Sequence, residues 1–341
     1  MSFDEGFVEE VRLNPKDDNA RLILADYLEE SGDPRGEFIR IQIELAGLEP
    51  MDKKRRALEV RESELLEDRG EHWLEPLRNL GAEGVSVRCF ERGMVERIKI
   101  SAENFLANGA ELCRIAPAFH CLQLQKMTEH ISALITYTMP QQITSLDISS
   151  QRLGTTFEGP SPPGGEIQFT LLCQSPWFGQ LSELNLTSNR LSDSALSSFN
   201  FCDLSKLNVL QLSGNRLSGE SISNLITNQQ NNMQSSLQSL SLGLNQLKIG
   251  DHRIPFEQLT NLRSLDMASS RHDDELFAKN FSVGSFDTLE SLVLRGNRLT
   301  AKTAELLCSP GKFENLKHLD IRNTMIATNQ TREKFRDGLI V

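Results

Sequence analysis

One apolar phrase recurs through the second half of this chain and limits what it can fold into. Leu181-x-x-Leu184-x-Leu186-x-x-Asn189-x-Leu191 is spelled again by Leu207, Leu210, Leu212, Asn215 and Leu217, by Leu237, Leu240, Leu242, Asn245 and Leu247, and by Leu289, Leu292, Leu294, Asn297 and Leu299. Weaker copies fill the gaps. Ile143, Leu146, Ile148, Gln151 and Leu153 carry Gln in the Asn position; Leu262, Leu265, Met267, Ser270 and His272 carry Ser; Leu316, Leu319, Ile321, Thr324 and Ile326 carry Thr. Two degenerate copies precede them, Phe119, Leu122 and Leu124, and Val95, Ile98 and Ile100. Units of this kind cannot bury their own hydrophobic face and must stack on one another.

From 181 onward the steps are 25–30 residues, long enough for a strand and a helix. Ser192 to Phe199 opens with capping residues and then places Ala195, Leu196 and Phe199 on one face; Ala301 to Leu307 repeats the pattern. The spelling resembles the leucine-rich repeat, in its ribonuclease-inhibitor-like subtype. The resemblance implies an α/β solenoid of about 7–9 repeats over 91–327, with a curved parallel β-sheet inside and helices outside. It also implies that Asn189, Asn215, Asn245 and Asn297 form a structural ladder, their side-chain amides satisfying backbone groups of the neighbouring turn. A 38-residue step interrupts the array at 154–165, a Gly/Pro-rich run read as an exposed loop. Asn228 to Ser236, rich in Asn and Gln, reads as a smaller bulge.

Residues 1–90 differ. Helices are expected from about Phe7, over Ala20–Glu30, over Arg35–Leu45 and over 51–69, with Asn14-Pro15 and Gly32-Asp33-Pro34 as breaks. Asn14-Pro15-x-Asp17-Asp18, Arg21 to Glu30, and Gly32-Asp33-Pro34-Arg35-Gly36-Glu37-Phe38-Ile39-Arg40 resemble the bacterial repeat-companion domain. The resemblance implies a helical module ahead of a repeat array and no enzymatic activity. Asp26, Glu29, Asp33, Arg35, Glu37 and Arg40 read as caps and ion pairs, with Arg35 against Asp26 or Asp33. A polar helix over 328–341 is the expected C-terminal cap.

Net charge is −11, of which −8 lies in residues 1–70. No basic footprint for nucleic acid stands out, and no apolar run approaches a membrane span. The N-terminal residues show no signal segment, and the six cysteines show no paired spacing, so a cytoplasmic, reducing location is expected. No phosphate loop, metal-ligand pair or nucleophile motif is present; the chain is read as no enzyme, with no cofactor or metal. Arg271 to Glu275 reads as a solvated turn.

The concave face is the candidate binding surface, because strand side chains alternate. Its central column is Asp147, Asn185, Gln211, Ser241, Asp266, Val293 and Asp320. Glu183 and His318 lie in the column before it, Arg295 and Arg322 in the column after it. The mixed charges at 295–322 mark the first candidate contact patch. The expectation is a monomeric scaffold for a protein partner of unknown identity. The alternative is a regulator of an enzyme in trans, of the GTPase-activator-like or inhibitor-like kind.

Overall fold

Asn14-Pro15 and Gly32 divide the first helices as the sequence requires. The structure, a computed structural model, describes residues 5–154 and 165–326. These form two compact units, one of residues 5–130 with 137–147, the other of 131–136 with 148–154 and 165–326. The interior of the Gly/Pro loop and the expected C-terminal cap lie outside the described residues.

The first unit opens with α1 (Glu5–Leu13), α2 (Asp18–Glu30) and α3 (Arg35–Gly47). Asp17 caps α2 by accepting from the Asn19 amide. Gly32, at φ 76, turns the chain from α2 to α3. Gly36 lets those helices touch, since a Cβ there would lie 2.5 Å from the Ala25 carbonyl oxygen. The expected helix over 51–69 begins later and runs on: α4 (Arg55–Leu65) passes through a π turn at Leu66–Gly70 into α5 (Glu71–Asn79). Arg35 corrects another expectation. Its amide, not its guanidinium, bonds the Asp33 carboxylate (2.9 Å), and its guanidinium lies over the Trp73 ring. Asp26 and Glu29 are both paired to Arg40, and Glu37 takes Arg61.

In the same unit β1 (Ala82–Glu83) runs antiparallel to β4 (Arg97–Ser101), and β5 (Cys121–Gln125) and β6 (Ser145–Asp147) follow β4 in parallel. A short hairpin, β2 (Phe90–Glu91) and β3 (Met94–Val95), precedes them, and α6 (Ala102–Ile115) follows β4. The degenerate copies at 95 and 119 are therefore strands of the array. Val11, Leu24, Ala25, Leu28 and Ile39 of the helices share one core with Met94 and Ala118. A buried ion pair crosses this junction. Arg21 is fully buried on α2; it reaches the Glu96 carboxylate at 2.5 Å and donates to the Glu91 (2.9 Å), Arg92 and Pro15 carbonyls.

The second unit contains α7 (Ile131–Thr136), α8 (Gly165–Cys173) and the strands β7 (Glu183–Asn185), β8 (Val209–Gln211), β9 (Ser239–Ser241), β10 (Ser264–Asp266), β11 (Ser291–Val293) and β12 (His318–Asp320). From β7 to β12 each strand pairs in parallel with the next, leucine beside leucine: Leu184, Leu210, Leu240, Leu265, Leu292, Leu319. Outside the strands stand α9 (Asp193–Leu196), α10 (Gly219–Thr227), α11 (Asp274–Phe281) and α12 (Ala301–Leu307). Ser192, Ser218, Asp273 and Thr300 cap them. The repeat from Leu237 departs from the expected helix in each unit. Two 3-10 turns, Ile249–Asp251 and Phe256–Gln258, stand in its place, with Gly250 at φ 79 and Pro255 interrupting any longer ladder of bonds. Phe256, Phe277, Phe281, Phe286 and Phe313 stack ring against ring, at 4.6–5.8 Å between centroids. The Asn228–Ser236 bulge is pinned by Asn231, which is fully buried and bonds the Leu225 carbonyl (2.8 Å) and the Met233 amide (3.2 Å).

The asparagine ladder forms as the resemblance implies. The Asn215 carbonyl oxygen accepts from the Asn189 (3.1 Å) and Leu191 (2.9 Å) amides of the preceding turn, and its NH2 donates to Leu186 (3.1 Å) and Leu212 (2.8 Å). Asn189, Asn245 and Asn297 repeat the pattern. A second ladder runs outside it: Asp193 accepts from the Ser218 amide and hydroxyl, and Asp274 from those of Thr300. Ser270 is too short to repeat all the asparagine contacts; it keeps the bond to its own turn and joins a buried relay. Asn280 accepts from the Ile254 amide, which fixes its NH2 toward His272 Nε2 (3.2 Å); His272 Nδ1 then donates to Ser270 Oγ (2.9 Å), and Ser270 donates to the Met267 carbonyl (2.6 Å). The expected solvated turn at 271–275 is thus corrected: His272 is fully buried, and burial lowers its pKa to about 4.

Three outcomes follow from these contacts. Asn215→Ala strips two amides and two carbonyls of their partner and is expected to cost about 3 kcal/mol in urea unfolding; a loss below about 1 kcal/mol would contradict a load on the ladder. Arg21→Ala leaves the buried Glu96 with the half-buried Arg92 in place of its buried partner and is expected to cost about 3 kcal/mol, while Arg21→Met with Glu96→Gln recovers much of that loss. A folded-state pKa below the unfolded one means that the unfolded chain takes the His272 proton first. Stability is therefore full above about pH 6.5, falls by about 3 kcal/mol down to about pH 4, and is flat below. His272→Gln is expected to lack this slope, read as the difference between the two proteins in urea at each pH.

Candidate functional site

Alternation along β7–β12 sends one leucine of each strand into the core and its neighbours to the open face. The expected columns are therefore real rows of neighbours: Asn185 beside Gln211, Ser264 beside Ser291, Val293 beside Asp320. Glu183, Asn185, Asp266 and His318 are half-buried; Gln211, Arg295 and Arg322 are exposed. In the first unit Asp147 is half-buried on β6, in register with Gln123.

Several central-column residues serve the backbone. Asn185 accepts from the Thr187 amide (3.0 Å), Asp266 from Ala268 (2.8 Å) and Asp320 from Arg322 (3.1 Å). Each closes a turn two residues on, the habit of Asn and Asp side chains where a strand ends. Hydroxyls link neighbouring repeats on the same face, Ser213 with Ser241 at 2.7 Å and Ser241 with Asp266 at 3.4 Å.

At the 295–322 patch the structure brings Asp320 and Arg322 together. Arg322 donates to both Asp320 oxygens, at 2.9 and 2.6 Å. The Arg322 bonds hold the Asp320 carboxyl below the usual carboxylate range, and Arg295 adds to the effect. Asp320 is only 3% exposed, so it orients Arg322 rather than presenting a charge of its own. The exposed Arg295 and the half-buried His318 complete the patch.

A further column lies on the turn edge, and the sequence reading passed over it. The residue between Asn and the last Leu of each phrase is Arg152, Arg190, Arg216, Gln246, Arg271, Arg298 and Met325. The signal was legible as Asn-Arg-Leu, written three times. Backbone bonds stitch this column together: the Arg216 amide to the Leu191 carbonyl (2.9 Å), Gln246 to Leu217 (3.0 Å), Arg298 to His272 (2.8 Å) and Met325 to Leu299 (2.9 Å).

No group of three His, Cys, Asp or Glu side chains among the described residues is placed to hold a metal ion, and no described helix is long and apolar enough to cross a membrane. The six cysteines are free thiols, four of them buried. Burial pushes the Cys113 thiol up to about 12, and Cys173, beside Cys202, is raised as well by burial. Such thiols stay protonated and are poor nucleophiles. Cys113 lines a pocket of about 590 Å³ in the first unit with Arg12, Leu13, Arg114, Pro140 and Gln142.

A family model described as Leucine Rich repeat matches residues 181–199, the first full copy of the phrase. Among solved structures the chain is similar to an internalin from Listeria monocytogenes, with 18% identity, 66% of this chain and 54% of that one covered, and a TM-score of 0.38. It is also similar to a chain of the LRIM1/APL1C complex, with 16% identity, 71% and 52% covered, and a TM-score of 0.23. The chain spans about half the length of each. No curated protein matches it. Repeated strands in leucine register, a buried asparagine ladder and the match at 181–199 show a fold built of leucine-rich repeats, an α/β solenoid of parallel strands backed by helices and helical turns.

Proposed function

We propose that the chain is a non-enzymatic scaffold that holds a protein partner on the open, concave face of its strands. The observation that carries this reading is the register of β7–β12, which lines up mostly polar side chains, with Val209 and Val293 among them, in rows across neighbouring strands. A polar surface of Ser, Asn, Gln and Asp with a few exposed charges suits a protein contact. In this reading Glu183, Gln211, Arg295, His318 and Arg322 meet the partner. Asp147, Asn185, Asp266 and Asp320 shape the face. Residues 1–90 are a companion module that covers the first repeat, 91–327 are the ribonuclease-inhibitor-like array, and 328–341 cap its far end. The protein is then a monomer in the cytoplasm of a bacterium, without a cofactor.

The test is a photo-crosslinking side chain at Gln211 or, on the opposite side, at Glu305, both exposed, followed by capture from a host lysate. A partner crosslinked from 211 and released at least tenfold more readily by Arg295→Glu with His318→Ala is the expected result. Asp320 is spared in that variant because Arg322 is left in place. Crosslinking from 305 alone would overturn the concave reading.

A further inference from the structure

The arginine column on the turn edge is not explained by the fold or by the concave reading. Arg152, Arg190, Arg271 and Arg298 are exposed, and among the described residues none of them holds a carboxylate or any other side-chain bond. This is not the habit of arginines in the second unit: Arg253, Arg263 and Arg322 each grip an acid. It is also unexpected in a chain with 47 acidic and 36 basic residues, where carboxylates are in surplus. Three of the four column residues, Arg152, Arg190 and Arg271, stand at φ 57, 60 and 65. That left-handed conformation suits Gly or Asn and is uncommon for a long side chain. The residues two positions earlier that share this conformation, Ser150, Ser188 and Ser269, are small and leave the guanidinium groups uncovered.

The column is continuous. Arg152, Arg190, Arg216, Gln246, Arg271 and Arg298 belong to six consecutive repeats, and the backbone bonds between turns hold them at strand spacing. At ~4.8 Å per step the column is roughly 25 Å long, the length of about eight residues of extended chain. Like charges at that spacing repel one another, and an anionic chain laid along them relieves the repulsion. Guanidinium groups are suited to carboxylates, which they bind through paired hydrogen bonds. Gln246 adds an amide in mid-column, and Met325, 65% exposed, ends it with an apolar side chain. Nucleic acid fits less well. The column offers no aromatic ring on which a base can stack, and the net charge of −11 opposes a long polyanion.

We propose that the turn edge of the array, through Arg152, Arg190, Arg271 and Arg298, is a docking strip for an extended, glutamate- or aspartate-rich segment of a partner protein. The strip is separate from the concave face and does not depend on what that face binds.

The probe is a fluorescent octaglutamate peptide, titrated with the full chain at about 0.05 M and about 0.15 M salt and read by anisotropy. Two variants are compared with the parent. One replaces the four column arginines by glutamine. The other removes the same charge elsewhere, with Lys53, Arg56, Lys206 and Lys302 replaced by glutamine. The expected result is saturable binding, weakened by salt, at least tenfold weaker in the column variant and within about twofold of the parent in the control variant and in Arg295→Glu with His318→Ala. Equal loss in both four-site variants would reduce the effect to net charge and overturn the proposal. So would absence of binding, or an oligodeoxynucleotide of matched charge that binds the parent more tightly than the peptide and loses affinity in the column variant. Circular dichroism of each variant shows that the fold is kept, and these exposed side chains carry no bond that the fold needs.

Discussion

Everything in the array rests on one primary amide per turn. When the chain leaves a strand it must bend inside the protein, where its N–H and C=O groups have no water to bond. A side-chain amide offers both donors and an acceptor at one point, and Asn215 spends all of them on the turn before it and on its own. The leucines supply the driving force for stacking, but they do not choose a register; the amide does, because its acceptor and donors fit only one position of the neighbouring turn. Where the amide is missing the need remains. At Ser270 three side chains close in sequence, Ser270, His272 and Asn280, bond one another and the Met267 carbonyl, so that an ionisable ring sits in the core and burial keeps it neutral.

The repeats were legible down to their most degenerate copies. Val95, Ile98 and Ile100 are three apolar residues with correct spacing and nothing else, yet Ile98 and Ile100 lie on a strand in parallel pairing with the next, and Val95 ends the hairpin just before it. Periodicity succeeds here because it reports which side chains are turned inward, and that is a property of the backbone alone. It does not report what a buried polar atom will meet. Arg21 looked like one charge among many on an amphipathic helix; only the approach of Glu96, 75 residues away, shows it to be a buried ionic tie within the first unit. His272 looked solvated for the same reason, since its relay is closed by Asn280 from the following helix. The helix expected in each repeat failed at 249–258, where Gly250 and Pro255 were visible in the sequence and had more weight than the average repeat.

The candidate face shows the same division. Alternation correctly placed its columns, but it treated every outward residue as available. Asn185, Asp266 and Asp320 share a second task, closing the turn at the strand end, and their chemistry was chosen for that local bond. A column of Asn and Asp in such an array is therefore weak evidence for recognition by those residues. Exposed side chains with no backbone duty, such as Gln211 and Arg295, carry more.

The contrast between two adjacent positions sharpens this point. The ladder asparagine is dictated by the fold, since few other side chains can make its bonds. The residue after it has its backbone committed to the neighbouring turn and its side chain directed to solvent, so the fold asks only that it be tolerated. At such a position composition should drift, and in a chain with surplus acid it should drift toward neutral or acidic residues. Instead it reads Arg152, Arg190, Arg271 and Arg298, in three cases on a backbone that disfavours a large side chain. Packing, capping and the ladder all leave that choice unexplained. The remaining physical account is an interaction made outside the chain, with an anionic partner long enough to span several repeats.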